Sequence, residues 1–294
     1  MTITVEPLDA PLGAEVKGID LSAPMDDSAF AAVRRALVDH LVLVISGLPG
    51  DFQPLLDFGR RFGTLVPHVL EQYHHPETSE VSIISNDPST GAGRTTDMPA
   101  GAFWHSDLSY DANPSDASML YSVDVPDVGG DTLFANMVLA YDTLPEATKQ
   151  RIEGLRAVHR YGYRGGAAVV GLNQEQESGH PDVRHPVVRT HPESGHKALF
   201  VNPGFTVRIE GMDEDESREL LDELFDNATR PEFIYRHQWQ PGQLVACDNR
   251  ATMHSATGGY QGRPRTLWRM IVGGTGLGKR PGVADRRPGA GKDG

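Results

Sequence analysis

Residues 103–110 read FWHSDLSY, and residues 248–260 read DNRATMHSATGGY. A strand over 103–108 would put His105 and Asp107 on one face and Trp104 and Ser106 on the other, because strand side chains alternate. With the distant His254, these residues can bring two imidazoles and one carboxylate to one face of a metal ion. Such a set leaves half an octahedron open. It is the preferred arrangement of non-haem Fe(II) oxygenases, whose vacant positions take a cosubstrate and O2. A His-x-Asp pair alone arises often by chance, so its weight comes from its surroundings.

Downstream of His254, the stretch RPRTLWRMIVGG is apolar and β-favouring, with Arg265 and Arg269 an even number of positions apart and therefore on one face. A buried guanidinium needs an anionic partner, and its planar fork suits a carboxylate. Pairing of both arginines with surface acids is the alternative.

Elsewhere, Asp26-Asp27-Ser28 followed by AFAAVRRALVDHL reads as a capped amphipathic helix, and LVLVIS as a buried strand. A second helix is predicted from Phe52 to Phe62, a strand over VSIISN, and a loop from Asp87 to Ala102. SMLYSVDV alternates partly and runs into the Pro-Asp-Val-Gly-Gly-Asp break, which suits a hairpin or sharp connection. Met137 to Leu155 reads as mostly helical, interrupted by Pro145, and Asp213 to Asn227 as a charged helix. FIYRHQW, QLVACD and TLWRMIV read as late strands. The glycine-rich residues 160–182 are a candidate lid, and the Gly-, Arg- and Lys-rich residues 275–294 read as a disordered tail after one domain over 1–274.

Taken together, LGAEVKGIDLS, FWHSDLSY, PDVGGDTLFANMVLAYDTLP, HPVVRTHPESGHKALFVNPGF, PEFIYRHQWQPGQLVACDNRATMH and RTLWRM resemble, in order, the taurine dioxygenase (TauD/TfdA) family of Fe(II)- and 2-oxoglutarate-dependent dioxygenases. The resemblance spans roughly Ile3 to Gly274. It implies a mainly β fold with flanking helices, built on a double-stranded β-helix (jelly-roll, cupin-like) core. It also implies His105, Asp107 and His254 as iron ligands, with Thr132 and Arg265 on the far carboxylate of 2-oxoglutarate. Arg269, His68 and Phe205 correspond to residues facing substrate. The implied reaction is oxidation of an unactivated C–H bond, most simply hydroxylation, with O2 consumed and succinate and CO2 released. The retained Asp107 argues against halogenation, which needs a small residue there. Where the taurine enzyme has a polar Asn-Asp-Asn run, this chain has Pro99-Ala100-Gly101-Ala102-Phe103, so taurine is not the expected substrate. Tyr163 and Arg164 are candidates for a different pocket wall, and Asp248 and Asn249 for support of the ligands.

The 294 residues carry 27 Lys+Arg against 40 Asp+Glu, a net charge of −13. That balance removes the phosphate attraction behind nucleic-acid binding, so no nucleic-acid partner is expected. The expected partner is a small anionic organic substrate, drawn in by local cations despite the acidic whole. Absence of a signal-like start, of any span-length apolar run and of more than one cysteine, Cys247, points to a soluble cytoplasmic protein with no membrane partner. A homo-oligomer is compatible with the sequence. Two other functional classes remain open at this stage. A zinc hydrolase could use the same three ligands, and a non-catalytic jelly-roll binding protein could retain the scaffold.

Overall fold

A computed structural model describes residues 3–90, 100–163 and 180–274. The predicted tail 275–294, most of the candidate lid and Arg164 lie outside these residues. The strands are β1 (Thr4–Pro7), β2 (Ala14–Lys17), β3 (Val42–Ile45), β4 (His74–His75), β5 (Thr78–Ser85), β6 (Ala117–Asp124), β7 (Thr132–Asn136) and β8 (Arg156–His159). They continue with β9 (Val183–Pro186), β10 (Val188–Thr190), β11 (Lys197–Leu199), β12 (Thr206–Ile209), β13 (Ile234–His237), β14 (Leu244–Asp248), β15 (Thr252–Ala256) and β16 (Thr266–Val272). Among the described residues the helices are α1 (Asp27–His40), α2 (Phe52–Arg60), α3 (Met137–Asp142), α4 (Glu146–Ile152) and α5 (Glu214–Ala228).

These strands form an open eight-stranded sheet, ordered β1-β2-β3-β14-β6-β16-β5-β4. Three smaller sheets accompany it: β13-β7-β15, β12-β8-β9 and β10-β11. The expected jelly roll is therefore corrected to a mixed α/β fold of several sheets, none of which closes on itself among the described residues. Alternation in the sequence identifies strands and their buried faces, but it carries no information on which edges pair. The Pro-Asp-Val-Gly-Gly-Asp break likewise makes no hairpin. It passes the chain from β6 in the large sheet to β7 in a different sheet.

The large sheet separates two cores, which explains the unbroken apolar runs in its central strands. Leu43, Ile45, Leu244 and Ala246 pack toward Phe30, Val33 and Leu37 of α1 and Leu55, Leu56 and Phe58 of α2. Their alternating neighbours Val42, Val44, Val245 and Cys247 face the opposite side, sharing a core with Phe134 of β7 and Met253 of β15. The Asp26 carboxylate caps α1 by accepting the Ala29 amide at 2.8 Å. The predicted helix over 137–155 is two short helices, divided before Pro145, the N-cap of α4, which has no N–H with which to continue the ladder of α3. No described helix is long and apolar enough to cross a membrane.

The turn between β14 and β15 is held by a buried charge network. Asp248, with no exposed surface, accepts Arg250 Nε at 2.9 Å and Nη2 at 2.6 Å, and His191 Nε2 at 3.0 Å. Arg250 continues to Glu193 at 2.7 Å, and Glu193 to Arg34 of α1 at 3.1 Å. Burial alone would raise the Asp248 pKa. Hydrogen bonds from Arg250 and His191 outweigh it and hold the carboxyl below its ordinary value. Removing one member of such a network leaves an uncompensated buried charge, so Asp248→Ala is expected to destabilise the protein by about 3–5 kcal/mol. Since the folded pKa is depressed, this stabilisation is present above the ordinary carboxylate value of about 4 and is lost as the pH falls through the folded value. The gap in Tm between wild type and Asp248→Asn should accordingly be widest near neutrality and narrow below about pH 4 in thermal melts.

Candidate metal and anion site

His105, Asp107 and His254 converge, although not in the predicted way. Residues 103–108 do not form a strand: His105 makes an isolated antiparallel bridge with His254, its amide donating to the His254 carbonyl at 3.0 Å and the reverse bond spanning 2.8 Å. Past Asp107 the chain turns, with Leu108 in the left-handed region at φ 54°. The Asp107 amide leaves the ladder and donates to the Asn249 side-chain oxygen at 2.9 Å, while Asn249 Nδ2 donates back to the Asp107 carbonyl at 2.8 Å. Asn249 is fully buried and also bonds Ser115 Oγ at 2.8 Å, so the residue just after β14 fixes the backbone of a side chain far earlier in sequence.

One ligand atom from each of the three residues lies within 4.8 Å of the others, and all three residues are buried. His105 Nε2 is 3.8 Å from Asp107 Oδ1, and His254 Nε2 is 3.7 Å from Asp107 Oδ2. The ring nitrogens are poised for coordination. His105 Nδ1 donates to the Phe103 carbonyl at 2.7 Å, which puts the ring proton on Nδ1 and the lone pair on Nε2. Burial first, and the neighbouring His105 second, push the His254 pKa down to about 3, so its imidazole is neutral as a metal requires. Burial opposes ionisation of Asp107, but the Arg269 guanidinium 3.3 Å away, the two histidines and the Ser118 hydroxyl together outweigh it and hold the carboxyl well below the usual range. Two neutral imidazoles and an anionic carboxylate on one side of a cavity fit a divalent metal with open positions.

Ser118 on β6 donates to Asp107 Oδ2 at 2.7 Å, a role no sequence signal announces, since a lone serine in a strand is ordinarily structural. It orients the carboxylate. Ser118→Ala is expected to weaken divalent-metal binding about 10- to 100-fold, measured by calorimetric titration of Mn(II).

The triad opens onto a cavity of about 160 Å³ whose walls include Thr132, Arg265, Arg269, His68 and Phe205, so the residues expected to hold cosubstrate and substrate reach the same chamber as the triad. Thr132 and Arg265 both line it. Thr132 is buried and accepts the Trp239 indole at 3.1 Å. Arg265 is only 3% exposed and donates through Nε to the Gly130 carbonyl at 2.9 Å, with no carboxylate partner among the described residues. Burial accordingly lowers its pKa. Gly130 is required twice over: it has φ +71°, and a Cβ there would stand 2.9 Å from Arg265 Cδ. A buried, unpaired guanidinium beside a hydroxyl fits an incoming carboxylate.

Arg269 belongs to the metal end, its Nε buried and without a partner. His68 Nδ1 sits against the Leu70 backbone, 3.0 Å from its amide and 3.3 Å from its carbonyl, which fixes the ring's orientation. Burial, then the charge of Arg269, push the His68 pKa down to about 3. Phe205 stands edge-on to His105 with ring centroids 6.0 Å apart. Ala100, Gly101 and Phe103 line the cavity where the taurine enzyme's polar run would lie. Of the candidate pocket residues after β8, Tyr163 is not in the wall, and its hydroxyl accepts from Arg218 at 3.1 Å. Tyr161 and Gly162 line the cavity instead.

A sequence profile described as "Taurine catabolism dioxygenase TauD, TfdA family" matches residues 4–271. The alpha-ketoglutarate-dependent 2,4-dichlorophenoxyacetate dioxygenase of Cupriavidus pinatubonensis is 34% identical, over 86% of this chain and 92% of the relative. The alpha-ketoglutarate-dependent sulfate ester dioxygenase of Pseudomonas putida is 31% identical, over 93% of this chain and 90% of the relative. Among solved structures, that of AAD-2 in complex with Mn(II) and N-oxalylglycine superimposes with a TM-score of 0.78 at 30% identity, covering 93% of this chain and 98% of that one.

Proposed function

The chain belongs to the TauD, TfdA family and is an Fe(II)- and 2-oxoglutarate-dependent dioxygenase, and from that premise we propose that it oxidises, by hydroxylation, an unactivated C–H bond of a small anionic substrate. In this reading His105, Asp107 and His254 hold Fe(II), Arg265 and Thr132 hold the far carboxylate of 2-oxoglutarate, and Arg269, His68 and Phe205 face substrate. When bound, Fe(II) and 2-oxoglutarate supply the oxidising power, consuming O2 and releasing succinate and CO2.

The chain's own task is placement. The Phe103 carbonyl holds His105 in the tautomer that presents Nε2, while Ser118 and Asn249 fix the carboxylate and backbone of Asp107. The His68 imidazole lines the chamber, and Phe205 and Phe103 form an apolar wall on the ligand side. A single buried cysteine suits a reducing cytoplasm, where we place the enzyme.

The observation that carries the anionic substrate is Arg269. Its carboxylate partner is Asp107, the residue assigned to the metal, and its buried Nε has no acceptor among the described residues. Once a divalent cation draws on the charge of Asp107, Arg269 is left to an anion from outside. Relatives named for a phenoxyacetate and for sulfate esters, both anions, support this reading. The test loads the protein anaerobically with Fe(II) and 2-oxoglutarate, then admits O2 with a panel of carboxylates, sulfonates, sulfate esters and phosphonates beside neutral amides and alcohols. Succinate release should rise with at least one anion, with taurine inactive. In Arg269→Ala the KM for that anion should rise while the KM for 2-oxoglutarate stays unchanged. Stimulation by neutral compounds alone would refute the anionic reading.

A further inference from the structure

Tyr110 has no part in the roles given above, yet it occupies the same chamber. The left-handed Leu108 reverses the chain directly after Asp107, and the turn is closed by the Asp111 amide donating to the Leu108 carbonyl at 2.9 Å. A non-glycine residue keeps such a conformation only where its surroundings over-determine it, and such strain clusters at functional sites. Here Ser109 is fully buried and tied to Asn202 Nδ2 at 3.0 Å, which locks the turn. The effect is to return the side chain three residues after Asp107 to the cavity that Asp107 lines.

Tyr110 is only 7% exposed, and its ring lies between Tyr161, at 4.5 Å, and Phe205, at 4.8 Å. Tyr110 lines the cavity, and no hydrogen bond joins its hydroxyl to another described residue. A phenol at a cavity wall can take its hydrogen-bond partner from a bound ligand. Burial, followed by Tyr161, holds its pKa above the ordinary value, so it stays a donor, and the charges of Arg269 and Asp107 both reach it.

The geometry points to Tyr110 as a substrate-binding residue. Its hydroxyl donates to the anionic head beside Arg269, and its ring, flanked by Tyr161 and Phe205, forms the wall for the rest of the substrate. The substrate class is thereby a carboxylate or sulfate ester on an apolar, preferably aromatic, body. This rests on the reading that Arg269 faces substrate.

Tyr110→Phe keeps the ring and deletes the hydroxyl. The probes are phenoxyacetate and hexyl sulfate, read by succinate release on the Fe(II) enzyme and by calorimetric binding to protein loaded with Mn(II) and 2-oxoglutarate. The expected result is a rise of about 10- to 150-fold in KM and Kd for the probe anion, as for hydrogen bonds to charged groups. The KM for 2-oxoglutarate should not move, and Tm should stay close to that of the wild type, since no described residue loses a hydrogen bond. If Arg269→Ala weakens the probe and Tyr110→Phe leaves it unchanged, the role of Tyr110 is refuted while the anionic reading stands. A Tm loss of several degrees without a change in Kd assigns Tyr110 to structure and overturns the proposal. If neither probe binds or stimulates the wild type, the anionic reading fails and takes this role with it.

Discussion

His254→Ala is expected to lower Fe(II) affinity by well over the roughly 100-fold that loss of a hydrogen-bonding partner of a ligand can cost, and to reduce succinate release at least as far. The fold should survive. The bridge between the two histidine segments is made by backbone groups, the His254 amide to the His105 carbonyl at 2.8 Å and the reverse bond at 3.0 Å, and neither depends on the imidazole. His254 Nδ1 has no partner, so its removal orphans no other polar group. Loss of stability should therefore stay within the ordinary range of about 0.5–3 kcal/mol for a point substitution. Metal titration and a denaturant melt on the same preparation separate the two effects. Tight Fe(II) binding retained by His254→Ala would remove this residue from the ligand set.

Which parts of this site could be read in advance follows from how each part is encoded. The three ligands and the two arginines carry their chemistry in residue type and spacing, and the cavity contains all five. The helices α1 and α5 were legible because capping carboxylates and an apolar stripe are local: Asp26 and Asp213 each accept the amide three residues on. Sheet connectivity is not local. FWHSDLSY alternates like a strand, but Leu108 turns the chain and Asn249 takes the Asp107 amide, a partner that no window around residue 107 contains. The same holds for the jelly-roll expectation, because nothing in residues 117–136 states that β6 and β7 enter different sheets. Ser118 is illegible for a related reason: its bond to Asp107 exists only in three dimensions, and a serine in a strand is otherwise ordinary.

The acidity of the chain and the cationic chamber are two scales of one arrangement. A net charge of −13 spread over the surface is screened within about 10 Å at moderate salt, whereas Arg265 and Arg269 act at short range on the walls of one cavity. Arg265 is the sharper case because it is nearly inaccessible and its fixed partner is a neutral carbonyl.

Arg265→Met should consequently change two properties in opposite directions. Truncating one partner of a buried, hydrogen-bonded charge pair costs about 2–5 kcal/mol, which raises the KM for 2-oxoglutarate by roughly 30-fold to several thousand-fold. The far carboxylate lies away from the reacting atoms, so its grip is uniform binding, and kcat at saturating 2-oxoglutarate should fall far less than kcat/KM. Without cosubstrate, wild type keeps a desolvated cation unpaired, and methionine removes that burden at similar length, set against the loss of one hydrogen bond to the Gly130 carbonyl. The variant should thus melt at or above the wild-type temperature in the absence of 2-oxoglutarate. It should also lose most of the stabilisation that millimolar 2-oxoglutarate gives the wild type, since ligand stabilisation scales with the logarithm of concentration over Kd. Arg265→Lys separates charge from shape: an ammonium supplies the charge without the planar fork and should recover only part of the affinity. An unchanged KM in both variants would place the far carboxylate elsewhere in the chamber, with Arg269 the remaining cation to receive it.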